Sequence, residues 1–310
     1  MSDAKVALGC RLFFETRLSV TETYSCASCH RPELAFTDGR ALAIGSKGDS
    51  MRRGAMTLTN VAYNPAFTWA SGSVVTLERQ MEQPLFNEHP LEMGLKRDDR
   101  DLLAWFNGQE SYAAAFRESF PQEAKPITIP NLLKAIASFE RTLISGRSPF
   151  DRYVYDDDRA AFSESARRGM RLFYSDRSGC ARCHFGVNFS GPIVQRGKSP
   201  PPLFANNGTA VKGDEGLSAE TQRERDRGRF RVPTLRNIAL TAPYMHDGRF
   251  ATLDQVIEYY VAGGRHAESI GAVDSQIKPL DLSAEEQGDL VEFLKNLTDT
   301  EFATKRACNL

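Results

Sequence analysis

Apolar positions along the chain recur mainly at helical spacing. Residues 97–106 and 131–144 carry them three and four apart, which predicts an amphipathic helix in each stretch. Thr252-Leu253-Asp254-Gln255 is a capping-box pattern: side chains at both ends of the first turn satisfy backbone N–H groups. It predicts a helix running to about Tyr260 and closed by Gly263-Gly264. Ser283-Ala284-Glu285-Glu286 repeats the device ahead of Leu290, Phe293, Leu294 and Leu297, which share one helical face. Strand signals are few. Two stretches break the pattern: residues 40–55 are rich in Gly, Ser and Arg, and residues 186–229 in Pro, Gly and Asn. Loops of this length in a compact domain are functional or disordered. The charged run Arg223-Glu224-Arg225-Asp226-Arg227 reads as solvated surface.

The apolar pattern also repeats itself. Gly9, Arg11, Leu12, Phe13, Phe14 and Arg17 are matched in the same order by Gly169, Arg171, Leu172, Phe173, Tyr174 and Arg177. Each set leads into the same short string, Cys26-Ala27-Ser28-Cys29-His30 and Cys180-Ala181-Arg182-Cys183-His184. Cys-x-x-Cys-His is the attachment signature of c-type haem. The two thiols add to the vinyl groups of one porphyrin and the adjacent imidazole reaches the iron. A thioredoxin-type pair does not need the histidine, and a zinc ribbon brings its two cysteine pairs closer together. The fold expected is therefore mainly α: two tandem cytochrome c-like domains, 1–150 and 151–310, with one haem each. The long loops are expected to wrap the haem edges. The C-terminal tail is expected to pack back on the first domain.

Composition narrows the function classes. The chain has 310 residues, 41% hydrophobic and 25% charged, with a formal net charge of −1. No polyanion-binding field follows from that balance, so nucleic acid is not an expected partner. No uninterrupted apolar stretch approaches membrane-spanning length. Covalent c-type haem is attached outside the bacterial inner membrane, so the expected compartment is the periplasm. No export signal is visible at Met1-Ser2-Asp3-Ala4-Lys5, and it is read as removed. Cys10 and Cys308 are left over from haem attachment. An oxidising compartment permits a disulfide between them, and two free thiols are the other reading.

Phe230-Arg231-Val232-Pro233-Thr234-Leu235-Arg236-Asn237, followed by Thr241-Ala242-Pro243-Tyr244-Met245-His246-Asp247-Gly248, resembles the bacterial dihaem cytochrome c peroxidase and MauG superfamily. The resemblance spans nearly the whole chain. It includes both haem motifs, the segment from Asn60 to Trp69, and His89-Pro90-Leu91-Glu92-Met93-Gly94. Residues 53–64 and the insertion Phe86-Asn87-Glu88-His89-Pro90 are similar to the MauG-like branch, in particular the dihaem enzymes of methanobactin gene clusters, the MbnH group.

That resemblance implies roles for individual residues. His30 and His184 become the proximal ligands. The second haem takes a distal methionine in conventional peroxidases and a tyrosine in MauG-like enzymes. No methionine follows His246, and Tyr260 occupies the ligand position in Val256-Ile257-Glu258-Tyr259-Tyr260. A hard anionic phenolate favours oxidised iron, whereas a thioether favours ferrous iron. Residues 40–59 contain no histidine that could cap the first haem, which should then react without prior reduction. Glu92 matches the acid–base group of peroxide cleavage, and Gln80 an amide that orients peroxide. His89 is either a second distal group or a surface histidine. Trp69 matches the tryptophan between the haems, while Trp105 reads as core. Asn60 with the carbonyls of Thr241 and Pro243 matches a calcium site.

The implied activity is that of a dihaem enzyme that uses hydrogen peroxide to form a bis-ferryl state. It would then oxidise an aromatic residue, tryptophan to kynurenine, on a periplasmic partner such as a copper-binding protein of a methanobactin cluster. Two alternatives stand beside it: a conventional peroxidase reducing peroxide to water, and a non-catalytic electron carrier.

Overall fold

The computed structural model describes residues 1–264, 266–304 and 308. From the first half of the chain fold helices α1 (Asp3–Phe13), α2 (Cys26–Cys29), α3 (Leu77–Phe86), α4 (Arg100–Gly108), α5 (Glu110–Ser119) and α6 (Ile129–Glu140). From the second fold α7 (Pro149–Tyr155), α8 (Glu164–Phe173), α9 (Ser218–Thr221), α10 (Leu253–Val261), α11 (Ala284–Lys295) and α12 (Thr300–Thr304). The named strands are β1 (Phe204–Ala205) and β2 (Phe230–Arg231), antiparallel, with Phe204 opposite Arg231.

Local chemistry sets the helix ends. Both predicted capping boxes form: Thr252 with Gln255 opens α10, and Ser283 with Glu286 opens α11. Gly263 and Gly264, at φ +92° and +61°, follow α10 in a conformation that side chains resist. Helix α6 starts at a Thr128 cap and Pro130 and stops at Glu140, short of the apolar pattern that continues to 144. Beyond it, Leu143 is still buried in the first core, but as part of a turn.

One close helix crossing organises each half, and the repeated glycine makes it possible. A Cβ on Gly9 in α1 would lie 1.9 Å from the Ala135 carbonyl oxygen of α6. A Cβ on Gly169 in α8 would lie 1.9 Å from the Asp289 carbonyl oxygen of α11. Around the first crossing Leu8, Leu12, Phe13, Leu132, Ile136 and Phe139 form a core that draws on residues 8–143. Around the second, Leu172, Phe173, Leu290, Phe293 and Leu294 belong to a core that draws on residues 150–297. Gly169→Ala should destabilise the holoprotein by roughly 1–3 kcal/mol through overpacking. Gly288→Ala, on α11 where the space is open, should instead gain up to about 1 kcal/mol. Urea unfolding of both variants checks the pair.

A small third cluster, Ala70, Ala210 and Phe230 with Trp69 and Ile270 against it, joins the halves. The tail also returns to the first half. Phe302 of α12 packs on Phe36 with ring centroids 5.6 Å apart, and Cys308 is disulfide-bonded to Cys10 with Cα atoms 5.9 Å apart.

Candidate active site

Each haem-attachment motif is built to present an imidazole nitrogen. In α2 the two cysteines lie three apart on one turn, with Ser28 Oγ accepting from the Ser25 N–H at 3.0 Å. His30 follows and donates from Nδ1 to the Phe36 carbonyl at 2.9 Å. His184 donates from Nδ1 to the Phe189 carbonyl at 2.8 Å. In both, Nε2 is left with its lone pair available to a metal, as a histidine ligand requires. Burial lowers the pKa of both rings and keeps them neutral.

The carbonyl that fixes each ring comes from an unusual backbone. Phe36 and Phe189 have φ of +62° and +51°, a region bulky residues rarely enter. Aromatic packing holds them there. Phe36 meets Phe13 at 6.1 Å, and Phe189 meets Phe150 at 5.2 Å and Phe173 at 5.9 Å.

A large cavity lies beside the second motif. Cys180, Cys183, His184 and Tyr260 line it, together with Phe173, Leu235 and Leu290. Tyr260 and its neighbour behave differently. The Tyr260 hydroxyl accepts from Asn207 Nδ2 at 3.1 Å inside the cavity wall. The Tyr259 hydroxyl donates instead to the Asn207 carbonyl at 2.9 Å, with its ring on Phe250. Burial pushes the Tyr260 phenol up to about 12, so ionising it needs a positive charge in the cavity.

Trp69 lines the same cavity. Its indole N–H donates to the Gly54 carbonyl at 2.9 Å, and the Gly54 N–H donates to the His246 carbonyl at 2.8 Å. One residue of loop 40–55 thus ties the tryptophan to the second half.

Glu92 sits beside the first motif. Its charge raises the pKa of the Cys29 thiol, after burial and Asp38, and burial raises the pKa of its own carboxyl. Loop 40–55 braces it from behind. A Cβ on Gly45 would lie 1.9 Å from the Leu91 carbonyl oxygen, and the Ser46 N–H donates to the Glu92 carbonyl at 2.7 Å. Gln80 is half-buried on α3. His89 is solvent-exposed on the Glu88–Leu91 turn.

Residues 3–159 match the Di-haem cytochrome c peroxidase family. The methylamine utilization protein MauG of Methylorubrum extorquens is 34% identical over 308 residues, covering 96% of this chain and 79% of that protein. The cytochrome-c peroxidase IdrP1 of Denitromonas iodatirespirans is 36% identical over 326 residues, covering 97% and 83%. The chain belongs to the dihaem cytochrome c peroxidase and MauG family. A solved MauG-like protein associated with microbial copper homeostasis is 37% identical, with a TM-score of 0.94 and coverage of 99% and 93%.

Members of this family are peroxide-using oxidoreductases carrying two haem c groups. The residues fit both. Each half offers two cysteines, a neutral imidazole with Nε2 available and an apolar surround. The Asn60 amide is engaged within the protein: Nδ2 donates to Ser145 O at 2.9 Å and Asn188 Oδ1 at 3.0 Å, and Oδ1 accepts one hydrogen bond, from Ser145 N at 2.8 Å, which leaves its second lone pair for a cation. Thr241 and Pro243 line the cavity without it. Asn64 does line that cavity, and its Oδ1 is buried with no hydrogen-bond partner.

The signal for Asn60's place was a second internal repeat. Thr57-Leu58-Thr59-Asn60-Val61-Ala62 answers Thr234-Leu235-Arg236-Asn237-Ile238-Ala239. Asn60 and Asn237 both have positive φ, +54° and +59°, and both open a short 3₁₀ turn. Their N–H groups donate to Leu143 and Leu297 carbonyls at 2.9 and 3.0 Å. These asparagines anchor the chain to the ends of the two core helix pairs.

His246 adds a pH-dependent element to this dihaem family member. It is stacked on Phe230 with ring centroids 3.8 Å apart, and its Nε2 is 3.9 Å from Asp214, which Arg53 chelates at 2.6 and 2.8 Å. Burial pulls the imidazole down to about 4 from its usual 6.5. Between those values the unfolded chain binds the extra proton, so stability falls as pH drops through that window. The loss should approach about 3 kcal/mol. His246→Gln should flatten the pH dependence of Tm between pH 6.5 and 4, and an unchanged slope would refute the assignment.

Proposed function

We propose that this chain uses hydrogen peroxide to oxidise an aromatic side chain, a tryptophan, on a partner protein. The observation that carries this reading is Tyr260 in the cavity wall with His184, on the helix after His246, beyond which the sequence offers no methionine. Haem, when bound, supplies the redox chemistry that accepts both oxidising equivalents of peroxide. The chain's own groups do the rest. Glu92, whose carboxyl pKa burial raises, takes the proton from the inner peroxide oxygen and delivers it to the outer one. Trp69, facing the second cavity, carries an electron between the halves. Tyr260, if ionised against the charge of a bound haem iron, would be a hard anionic donor that disfavours its reduction. The balance is one peroxide and two protons taking two electrons from the partner's side chain to give two waters.

The Cys10–Cys308 disulfide suits an oxidising compartment, which supports the periplasm. No helix among the described residues is long and apolar enough to cross a membrane. The likeness to a solved protein associated with microbial copper homeostasis supports a copper-binding partner.

The test is one equivalent of peroxide added to the fully ferric holoprotein, followed by visible and near-infrared spectra. Reaction without prior reduction, with a near-infrared band shared between the haems, is the expected result. Reaction only after reduction would make it a conventional peroxidase. Silence in both states would make it an electron carrier.

A further inference from the structure

A buried cation without a counter-charge stands in the wall of the second cavity. Arg231, on β2, is 6% exposed and lines the cavity together with Cys180, Cys183 and His184. A guanidinium has five N–H donors. Here Nε donates to Thr68 O at 3.1 Å and Nη2 to Met56 Sδ at 3.5 Å. Among the described residues no carboxylate pairs with it. Two other buried or half-buried arginines are matched instead: Arg236 lies 2.7 Å from Asp151, and Arg53 lies 2.6 Å from Asp214. Burial alone acts on Arg231, pulling its pKa down to about 10 with no acidic side chain to oppose it. A charge taken out of water in this way is costly unless an anion meets it.

We propose that Arg231 is the carboxylate-binding residue of the second haem site, holding a propionate of the haem attached at Cys180 and Cys183. The inference rests on the reading that a haem occupies this cavity. A planar fork suits a carboxylate, which it can grip with two parallel hydrogen bonds. Arg40 and Lys278 also line the cavity but are exposed, so water already solvates them. The position of Arg231 has a second consequence. Its main-chain N–H donates to the Trp69 carbonyl at 2.7 Å, and its Nε grips Thr68. The clamp on the propionate is therefore built on the segment that carries the inter-haem tryptophan.

The experiment compares holoprotein carrying Arg231→Gln or Arg231→Lys with the parent. Haem content is counted as the pyridine haemochrome, both midpoint potentials are read by spectroelectrochemistry, and the propionate bending band by resonance Raman. Arg231→Gln should retain two haems, lower the potential of the second and move its propionate band, because an uncompensated anion favours ferric iron. Arg231→Lys should restore most of the potential. Parent values for both readouts in the Gln variant, or a shift confined to the first haem, would overturn the proposal. Should the Gln variant fail to mature, the parent decides: a propionate band of the second haem that ignores exchange into heavy water overturns it, and a shifted band supports it. Fewer than two haems in the parent would sink the underlying reading instead.

Discussion

Replacing Glu92 by glutamine should slow the reaction of ferric holoprotein with peroxide by about 10²–10⁴-fold, the range for loss of a positioned acid–base group. Glutamine keeps the size of the side chain and its ability to hydrogen-bond, but it cannot take up and return a proton. The carboxylate has no ion-pair partner among the described residues, and burial is the cause that raises its pKa. Its removal therefore leaves no orphaned cation, and fold and haem content should survive. The segment is held by main-chain contacts, Ser46 N–H to Glu92 O and Leu91 against Gly45, which the substitution does not touch. Stopped-flow mixing with excess peroxide reads the rate. A variant within a few-fold of the parent would remove Glu92 from the chemistry.

The second large effect concerns the distal side of the second haem. Tyr260→Phe should abolish its low-spin spectrum as isolated and open that haem to cyanide, while Tyr259→Phe should leave both unchanged. The two hydroxyls are adjacent in sequence yet face different groups: Tyr260 receives the Asn207 side-chain N–H in the cavity, and Tyr259 donates to the Asn207 carbonyl. Removing the Tyr260 hydroxyl takes away a phenol that lines the cavity with His184, whereas Tyr259 does not line it. Asn207 Nδ2 also reaches Met245 Sδ at 3.4 Å, so a sulfur lies close to the vacated position. A low-spin spectrum retained in Tyr260→Phe and lost in Tyr259→Phe would reverse the assignment.

Much of the architecture could be read before the fold was known. The Cys-x-x-Cys-His strings, the repeated Gly-x-Arg-Leu-Phe segments and both capping boxes are local signals, and all of them reappear as geometry. Even so, the meaning of Gly9 and Gly169 needed the partner helices, since nothing near either glycine in sequence reveals a carbonyl from α6 or α11 at 1.9 Å from its missing Cβ. Other features had no local signal. Phe36 and Phe189 adopt a left-handed backbone that their side chains disfavour, because distant aromatic rings hold them there. Asn60 was read as a cation ligand, yet its partners Ser145 and Asn188 come from remote segments. Arg231 looks like any arginine in a strand until it is seen that no carboxylate among the described residues pairs with it.

The bond between Cys10 and Cys308 spans a sequence separation of 298 residues. The polypeptide is in effect a covalent ring, with nearly every residue inside it. A single protease cut in the exposed stretch near Arg196–Lys198 should leave one molecule of unchanged mass on a non-reducing gel and two fragments after reduction. The two haem-bearing halves cannot drift apart when the chain is nicked, so electron exchange between them should outlast a break in the main chain until the thiols are reduced.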